Sequence, residues 1–166
     1  MKNTSNSCHA SLYRLASRAA LIVAAAMALP GSASAADIAP TSYPFTLKGG
    51  GNVVQGSTIW ACGWTLQART TSARGGSLSG GVGDTNPNCG QLSVRPGTWS
   101  ITSPTSGVFQ SLTILGGGVS CVGGNVPFTI RRTGNNVISF FFNSATVGTC
   151  NFNANLSTLA ALTVTP

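Results

Sequence analysis

Apolar residues recur at every second position in several stretches of the chain. Trp60, Cys62, Trp64, Leu66 and Ala68 are interleaved with Gly63, Thr65, Gln67 and Arg69. Val126, Phe128 and Ile130 alternate with Pro127, Thr129 and Arg131, and Cys150, Phe152, Ala154 and Leu156 with Asn151, Asn153, Asn155 and Ser157. Successive side chains of an extended chain point to opposite faces, so each stretch predicts a strand with one buried face. Shorter matches occur at Leu92 and Val94, Trp99 and Ile101, Leu112 and Ile114, and Leu162 and Val164. Residues 138–142 are apolar on nearly both faces, which fits a central strand, or one that shows Phe141 to a partner. Residues 37–42 read as a loose leading segment, and 43–47 as an edge strand, where Pro44 is tolerated. After residue 35 no stretch carries a capped helical period; the best short candidate is 156–162. Gly, Pro, Asn, Ser and Thr turns fall at intervals of about 8–12 residues. The expected fold is all-β: a single antiparallel β-sandwich, or a partly open barrel, of about eight to ten short strands.

Residues 1–35 read differently. Lys2, Arg14 and Arg18 come first with no acid among them, residues 19–29 form an apolar run, and Pro30-Gly31 breaks it. Ala33-Ser34-Ala35 is a small-residue cleavage motif, so this segment is expected to be a secretory signal peptide and 36–166 a single domain. The apolar run is about 11 residues, and a membrane span needs about 20. No later segment is long and apolar enough to cross a bilayer. Cys8 precedes the apolar run, which argues against a lipoprotein anchor. The protein is expected to be exported, with the cell surface or medium favoured over the periplasm.

Composition then narrows the chemistry. The whole chain carries nine Lys and Arg, two Asp and Glu and one His, a net charge of +7, and only 7% of its residues are charged. About 25% is usual. Cleavage would remove His9 and the three leader charges. Lys48, Arg69, Arg74, Arg95, Arg131 and Arg132 then stand against Asp37 and Asp84, a net +4. Without His there is no Ser-His-Asp or Cys-His arrangement and no imidazole metal ligand. Asp37, near the new start, and Asp84, in a Gly/Asn/Pro loop, have nothing to pair them as the acids of a glycosidase. Asp84 with Asn86 and Asn88 reads as a turn in preference to a calcium site. The glycine runs 49–51 and 116–118 lack the Lys-Ser/Thr of a phosphate cradle and read as loops or turns. A Ser-Lys dyad would have to use Lys48. The expectation is a protein that is not an enzyme, with no cofactor and no metal.

Four cysteines remain after residue 35: Cys62, Cys89, Cys121 and Cys150, with separations of 27, 32 and 29. An even number in an exported chain points to two disulfides; a zinc site would want short C-x-x-C pairs. The first and last segments each open at a Cys on an extended stretch, pass a polar turn and return to a closing Cys. A hairpin brings its ends together, so Cys62–Cys89 with Cys121–Cys150 is the preferred pairing. Cys62–Cys150 with Cys89–Cys121 is the alternative.

Several features resemble the small exported bacterial proteins known as protein activators of alkane oxidation, the PraB-like group. They are Ala36-Asp37-Ile38-Ala39-Pro40 followed by Phe45, Cys62 opening a strand, Ser77-Leu78-Ser79-Gly80-Gly81 before Cys89, and Trp99 with Ile101. Cys121 before Gly123-Gly124-Asn125-Val126, then Gly148-Thr149-Cys150 and the closing Leu162-Thr163-Val164-Thr165-Pro166, complete the likeness. It covers most of residues 36–166; Trp60, Trp64 and Arg131-Arg132 stand outside it. The resemblance implies a secreted or surface protein that helps cells live on, or attach to, hydrophobic material such as alkanes, and it carries no catalytic residues.

Two functional classes follow. The first is a non-catalytic surface or matrix protein that self-associates by strand addition, through the Phe45 stretch or the last strand near Val164. The second is a binding module for lipid, alkane or glycan, with Trp60, Trp64 and Trp99 as platform residues and Phe141, Arg131 and Arg132 as further ligand or partner contacts, although Phe140 to Phe142 are expected in the core. Against that platform, Trp60 and Trp64 share the phase of Cys62 and Leu66, which points to the core. Nucleic acid is not favoured. Arg131 and Arg132 could line up with Arg69 and Arg74, but +4 is a modest charge for holding a phosphate backbone.

Overall fold

A computed structural model describes residues 36–84, 89–133, 137–158 and 160–166. The expected leader, Asn86, Asn88 and residues 134–136 lie outside these. Every regular element among the described residues is a strand. They are β1 (Asp37–Ala39), β2 (Pro44–Gln55), β3 (Thr58–Ser72), β4 (Gly75–Gly83), β5 (Ser93–Val94), β6 (Gly97–Ser103) and β7 (Ser106–Gln110). There follow β8 (Thr113–Gly116), β9 (Val119–Val122), β10 (Val126–Thr133), β11 (Val137–Val147), β12 (Cys150–Thr158) and β13 (Thr163–Thr165).

The strands run in the order β3-β2-β12-β11-β10-β7-β6-β4, and β4 pairs back onto β3. That pairing closes an antiparallel barrel of eight strands, where the alternation had suggested a sandwich or a partly open barrel. Alternation reports one buried face in either architecture, and only the non-local β3–β4 and β4–β6 contacts decide between them. The strands are also longer than expected: β3 has 15 residues, β2 has 12 and β11 has 11. β5, β8 and β9 branch from the far half of β4, through Gly81 and Val82. β1 and β13 form a separate ribbon, with Ile38 opposite Val164.

Four local expectations change. Residues 37–39 are not loose. Ile38 is 1% exposed, joins the core, and donates its amide to the Ala73 carbonyl at 2.5 Å. The 43–47 stretch is an edge only in part: β2 lies between β3 and β12, but β12 reaches no further than Leu47, so residues 44–46 pair with β3 alone. Pro44 is tolerated because it opens the strand, beyond the last β12 pairing at Leu47. The 156–162 stretch is no helix where described, since β12 runs on through Thr158. Finally, Gly49, Gly50 and Gly51 sit mid-strand in β2. A Cβ on Gly49 would overlap the Asn155 carbonyl, and one on Gly51 the Asn153 carbonyl, so glycine here permits close approach of β12. The other run does make a turn: Gly116, Gly117 and Gly118 all have positive φ between β8 and β9.

Inward residues of all the barrel strands meet in one core. A chain of aromatic rings runs through it. Phe45 meets Trp99 edge-on at 6.0 Å, Trp99 meets Phe140 at 6.5 Å, and Phe140 meets Phe128 at 5.0 Å. Phe128 touches Phe109 at 5.1 Å and Phe142 at 5.9 Å; Phe142 continues to Phe152 at 5.0 Å, and Phe152 to Trp64 at 5.6 Å. An eight-stranded barrel is just wide enough to be filled by side chains, and these rings fill it.

The structure bonds Cys62 to Cys89 and Cys121 to Cys150, with Cα–Cα distances of 5.6 and 5.5 Å. All four cysteines are buried. The first bridge ties β3 to the segment between β4 and β5. The second ties β9, the last strand of the branch, to the start of β12.

Two predictions follow from this arrangement. Replacing Cys121 and Cys150 together by alanine should cost about 3–4 kcal/mol in denaturant unfolding, and native-state hydrogen exchange should locate the loosening in β8 and β9. Neighbouring glycines of β2 should behave oppositely. Gly49→Ala forces the β2–β12 pairing apart and should destabilise by about 1–3 kcal/mol. Gly50→Ala meets open space and should stabilise by about 0.5–1 kcal/mol in the same assay.

Candidate ligand-binding surface

The acids are placed apart. Asp37 lies beside the β3–β4 turn, where its Oδ1 accepts from Arg74 Nε at 3.5 Å. Asp84 follows the opposite end of β4, its amide donating to the Gly63 carbonyl at 2.7 Å. A strand the length of β4 spans roughly 30 Å, whereas paired glycosidase carboxylates stand about 5–9.5 Å apart. Lys48 is exposed on the outer face of β2, across from Ser157. Among the described residues no hydrogen bond joins it to a serine; the Ser157 hydroxyl instead lies 2.7 Å from that of Ser139. Among the described residues no three of His, Cys, Asp or Glu come together as metal ligands.

The tryptophan platform requires correction. Trp64 and Trp99 are each 2% exposed and belong to the ring chain of the core. Trp99 Nε1 donates to the Ser77 carbonyl at 3.3 Å, while Trp64 Nε1 is buried without a partner. Both face inward because they share the phase of their buried neighbours. Trp60 has that phase too, but it lies near the β2–β3 turn and is half-buried, packed against the edge of the core.

The arginines do not form one stripe. Arg69 donates to the Ser42 carbonyl at 3.3 Å and Arg74 is engaged with Asp37, both on the β3–β4 side. Arg131 and Arg132 are on β10, four strands away in the sheet order, or about 19 Å at normal strand spacing. The alignment considered for nucleic acid is absent because β2, β12 and β11 intervene. Arg132 has the inward phase but lies near the end of β10 and is exposed.

Arg131 and Phe141 do come together. Phe141 points outward from β11 and is half-buried, and the Arg131 guanidinium carbon sits 4.5 Å from its ring centroid. The two are not direct cross-strand partners: Thr129 faces Phe141 and Arg131 faces Ser139. The contact is a diagonal one, within reach of long side chains. Such a cation–π contact contributes about 0.5–1 kcal/mol at an exposed site.

Phe141 and Arg131 line a trough of about 630 Å³ on the outer wall, which crosses β10, β11, β12, β2 and β3. Three local features shape it. Gly50 has an exposed Cα, and a Cβ there would meet nothing within 4 Å, so its missing side chain deepens the trough. A β-bulge sets Asn143 and Ser144 opposite Asn153, between the Phe142–Ala154 and Ala145–Phe152 pairs. The bulge keeps Phe142 and Ala145 both inward although three positions separate them. Asn153 holds it, its Oδ1 accepting from Ser144 N at 2.6 Å and Ser144 Oγ at 3.3 Å, with Ser144 at φ 48°. That bond directs the Asn153 amide nitrogen away from the bulge. Asn52, beside it, has an Oδ1 with no partner.

Gly50, Asn52, Asn143 and Asn153 belong to no motif that singles them out in the sequence. The alternating Asn151, Asn153 and Asn155 were a visible signal of an amide-lined outer face, but they read only as the polar phase of a strand. Among the described residues four large apolar side chains are exposed with no pattern in the sequence to mark them: Tyr43 at 39%, Ile59 at 63%, Val82 at 56% and Val122 at 64%. Ile59 and Val122 both lie toward the β11–β12 turn. Gly148 packs on the Val122 carbonyl, and Gln55, beside Ile59's strand partner Val54, bonds Thr149 at 3.2 Å.

No curated protein matches the chain, and no solved structure does. One family model does, over residues 12–166, nearly the whole length. The chain belongs to the alkane oxidation protein activator family, PraA/PraB-like.

Proposed function

We propose that this is an exported, non-catalytic protein that acts at the cell surface or in the extracellular matrix and helps cells use or attach to hydrophobic substrates such as alkanes. Membership in the activator family is the observation that carries this reading. Two buried disulfides suit an oxidising compartment. The separation of the acids, and a described domain without His, suit a role other than acid–base chemistry. Contact with hydrocarbon runs through the apolar side chains at the β11–β12 turn end, chiefly Ile59 and Val122, because Trp64 and Trp99 are packed inside the barrel and Phe141 is covered in part by Arg131. Self-association, where it occurs, runs through β9 or β13, each of which pairs with a single strand.

Deleting the gene in its host should slow growth on hexadecane and leave growth on a soluble carbon source unchanged. The purified protein should adsorb to hexadecane droplets, and Ile59→Asn with Val122→Asn should lower that adsorption several-fold. Their melting temperatures should stay close to the parent's, since exposed substitutions usually change stability by about 0.5 kcal/mol or less. Equal growth of the deletion strain on both carbon sources would sink the reading. Sedimentation should show concentration-dependent association; a proline in β9, at Ser120, abolishes it where β9 is the edge used and leaves it unchanged where β13 is, and a strictly monomeric parent removes the assembly component.

A further inference from the structure

We propose that the trough on the outer wall binds an acidic polysaccharide, taking the carboxylate of a uronic-acid residue at Arg131 and sugar hydroxyls at Asn52 and Asn153. This does not rest on the hydrocarbon reading and concerns a different face of the molecule.

The chemistry of the lining selects the ligand. None of the residues around the trough is an acid, and its one charge is a guanidinium. Arg131 has a ring beneath it, and no carboxylate is among the residues that line the trough. The contact holds the guanidinium over the Phe141 ring, 4.5 Å from its centroid, and N–H donors not turned to the ring can meet a bidentate acceptor such as a carboxylate. The neighbouring groups are amides. Asn153 is oriented by the bulge, so its donors are set before any ligand arrives. Asn52 lines the floor beside it, and sugar hydroxyls meet the amide edge that this side chain turns to the trough. The missing side chain at Gly50 provides width for a pyranose ring, and the exposed edge of Phe141 provides an apolar contact for its C–H face. A hydrocarbon would leave these polar groups unpaired. A neutral sugar would leave Arg131 without its counter-charge. A nucleic acid needs a run of cations, and Arg69 and Arg74 lie strands away.

Titration calorimetry of the disulfide-bonded protein with galacturonate oligomers tests the assignment, with fully methyl-esterified oligomers and a duplex DNA as comparators. Saturable binding of the free acid is expected, weakening as salt is raised. The ester should bind about tenfold or more weakly, the loss of a charge-assisted hydrogen-bond pair. Arg131→Gln should weaken binding of the acid by a similar factor. Gly50→Leu, which fills the trough without meeting another atom at its Cβ, should do the same with no fall in melting temperature. Should Arg131→Gln melt early, Arg131→Lys keeps the charge but loses the fork, and intermediate binding is expected. Absence of saturable binding overturns the proposal. So does equal binding of acid and ester, indifference to Gly50→Leu, or binding of DNA as tight as that of the uronate.

Discussion

The barrel is organised around a continuous path of aromatic rings, from Phe45 through Trp99, Phe140, Phe128, Phe142 and Phe152 to Trp64. The rings come from β2, β6, β11, β10, β12 and β3, so each contact joins strands that the backbone ladder joins only in part. Edge-on and tilted pairs contribute about 0.5–1.5 kcal/mol each beyond the area they bury. More important is the space they occupy. The rings share the interior with Leu and Ile side chains such as Leu47, Leu66, Leu78, Ile138 and Leu156. Closure depends on that filling, because β4 can meet both β3 and β6 only at the radius the rings allow.

What the rings do inside, the two bridges and the glycines do at the margins. Cys121–Cys150 holds the small β5–β8–β9 branch to the barrel at its far end, where β9 has a single partner strand. The β11 bulge is the local cost of fitting a long strand to the barrel's curvature: one extra residue restores the inward phase at Ala145 and turns Asn143 and Ser144 outward. The outer trough is therefore a by-product of core packing at its base, and Asn153 fixes its shape through one side chain and one backbone amide.

Much of this was legible along the chain. β3, β10 and β12 show their buried faces in plain alternation, and phase alone placed Trp64 with Cys62 and Leu66. The failures share a physical cause. Glycine in a loop and glycine beneath a crossing carbonyl look alike in sequence, and only the approach of β12 separates them, so β2 was misread at Gly49 and Gly51. Closure hangs on β4, whose Gly75-Gly76 and Gly80-Gly81 offer no side chains to set a periodicity. The bulge breaks the alternation of β11 just where the trough forms. Phe141 and Arg131 were visible as individuals. Their stacking was not, since it follows from a diagonal offset that depends on the β10–β11 register.

A barrel filled by its own rings has only its exterior with which to meet other matter, and that exterior is divided. At the end bordered by the β11–β12 turn, Ile59 and Val122 stand in solvent with hydroxyls and amides around them. On the wall, the one cation stacked on a ring is surrounded by asparagines. Both surfaces rest on the same rigid sheet, because β2 and β3 carry the trough floor in mid-strand and the apolar end at their shared turn. Nothing in such a sheet requires one to change shape when the other is occupied. Occupied as proposed, the two surfaces would hold an apolar phase and a hydrated polymer at the same time. The scarcity of charge fits both proposals: a charge beside Ile59 or Val122 would have to be desolvated on contact with an apolar phase, and an acid beside Arg131 would compete with a ligand carboxylate.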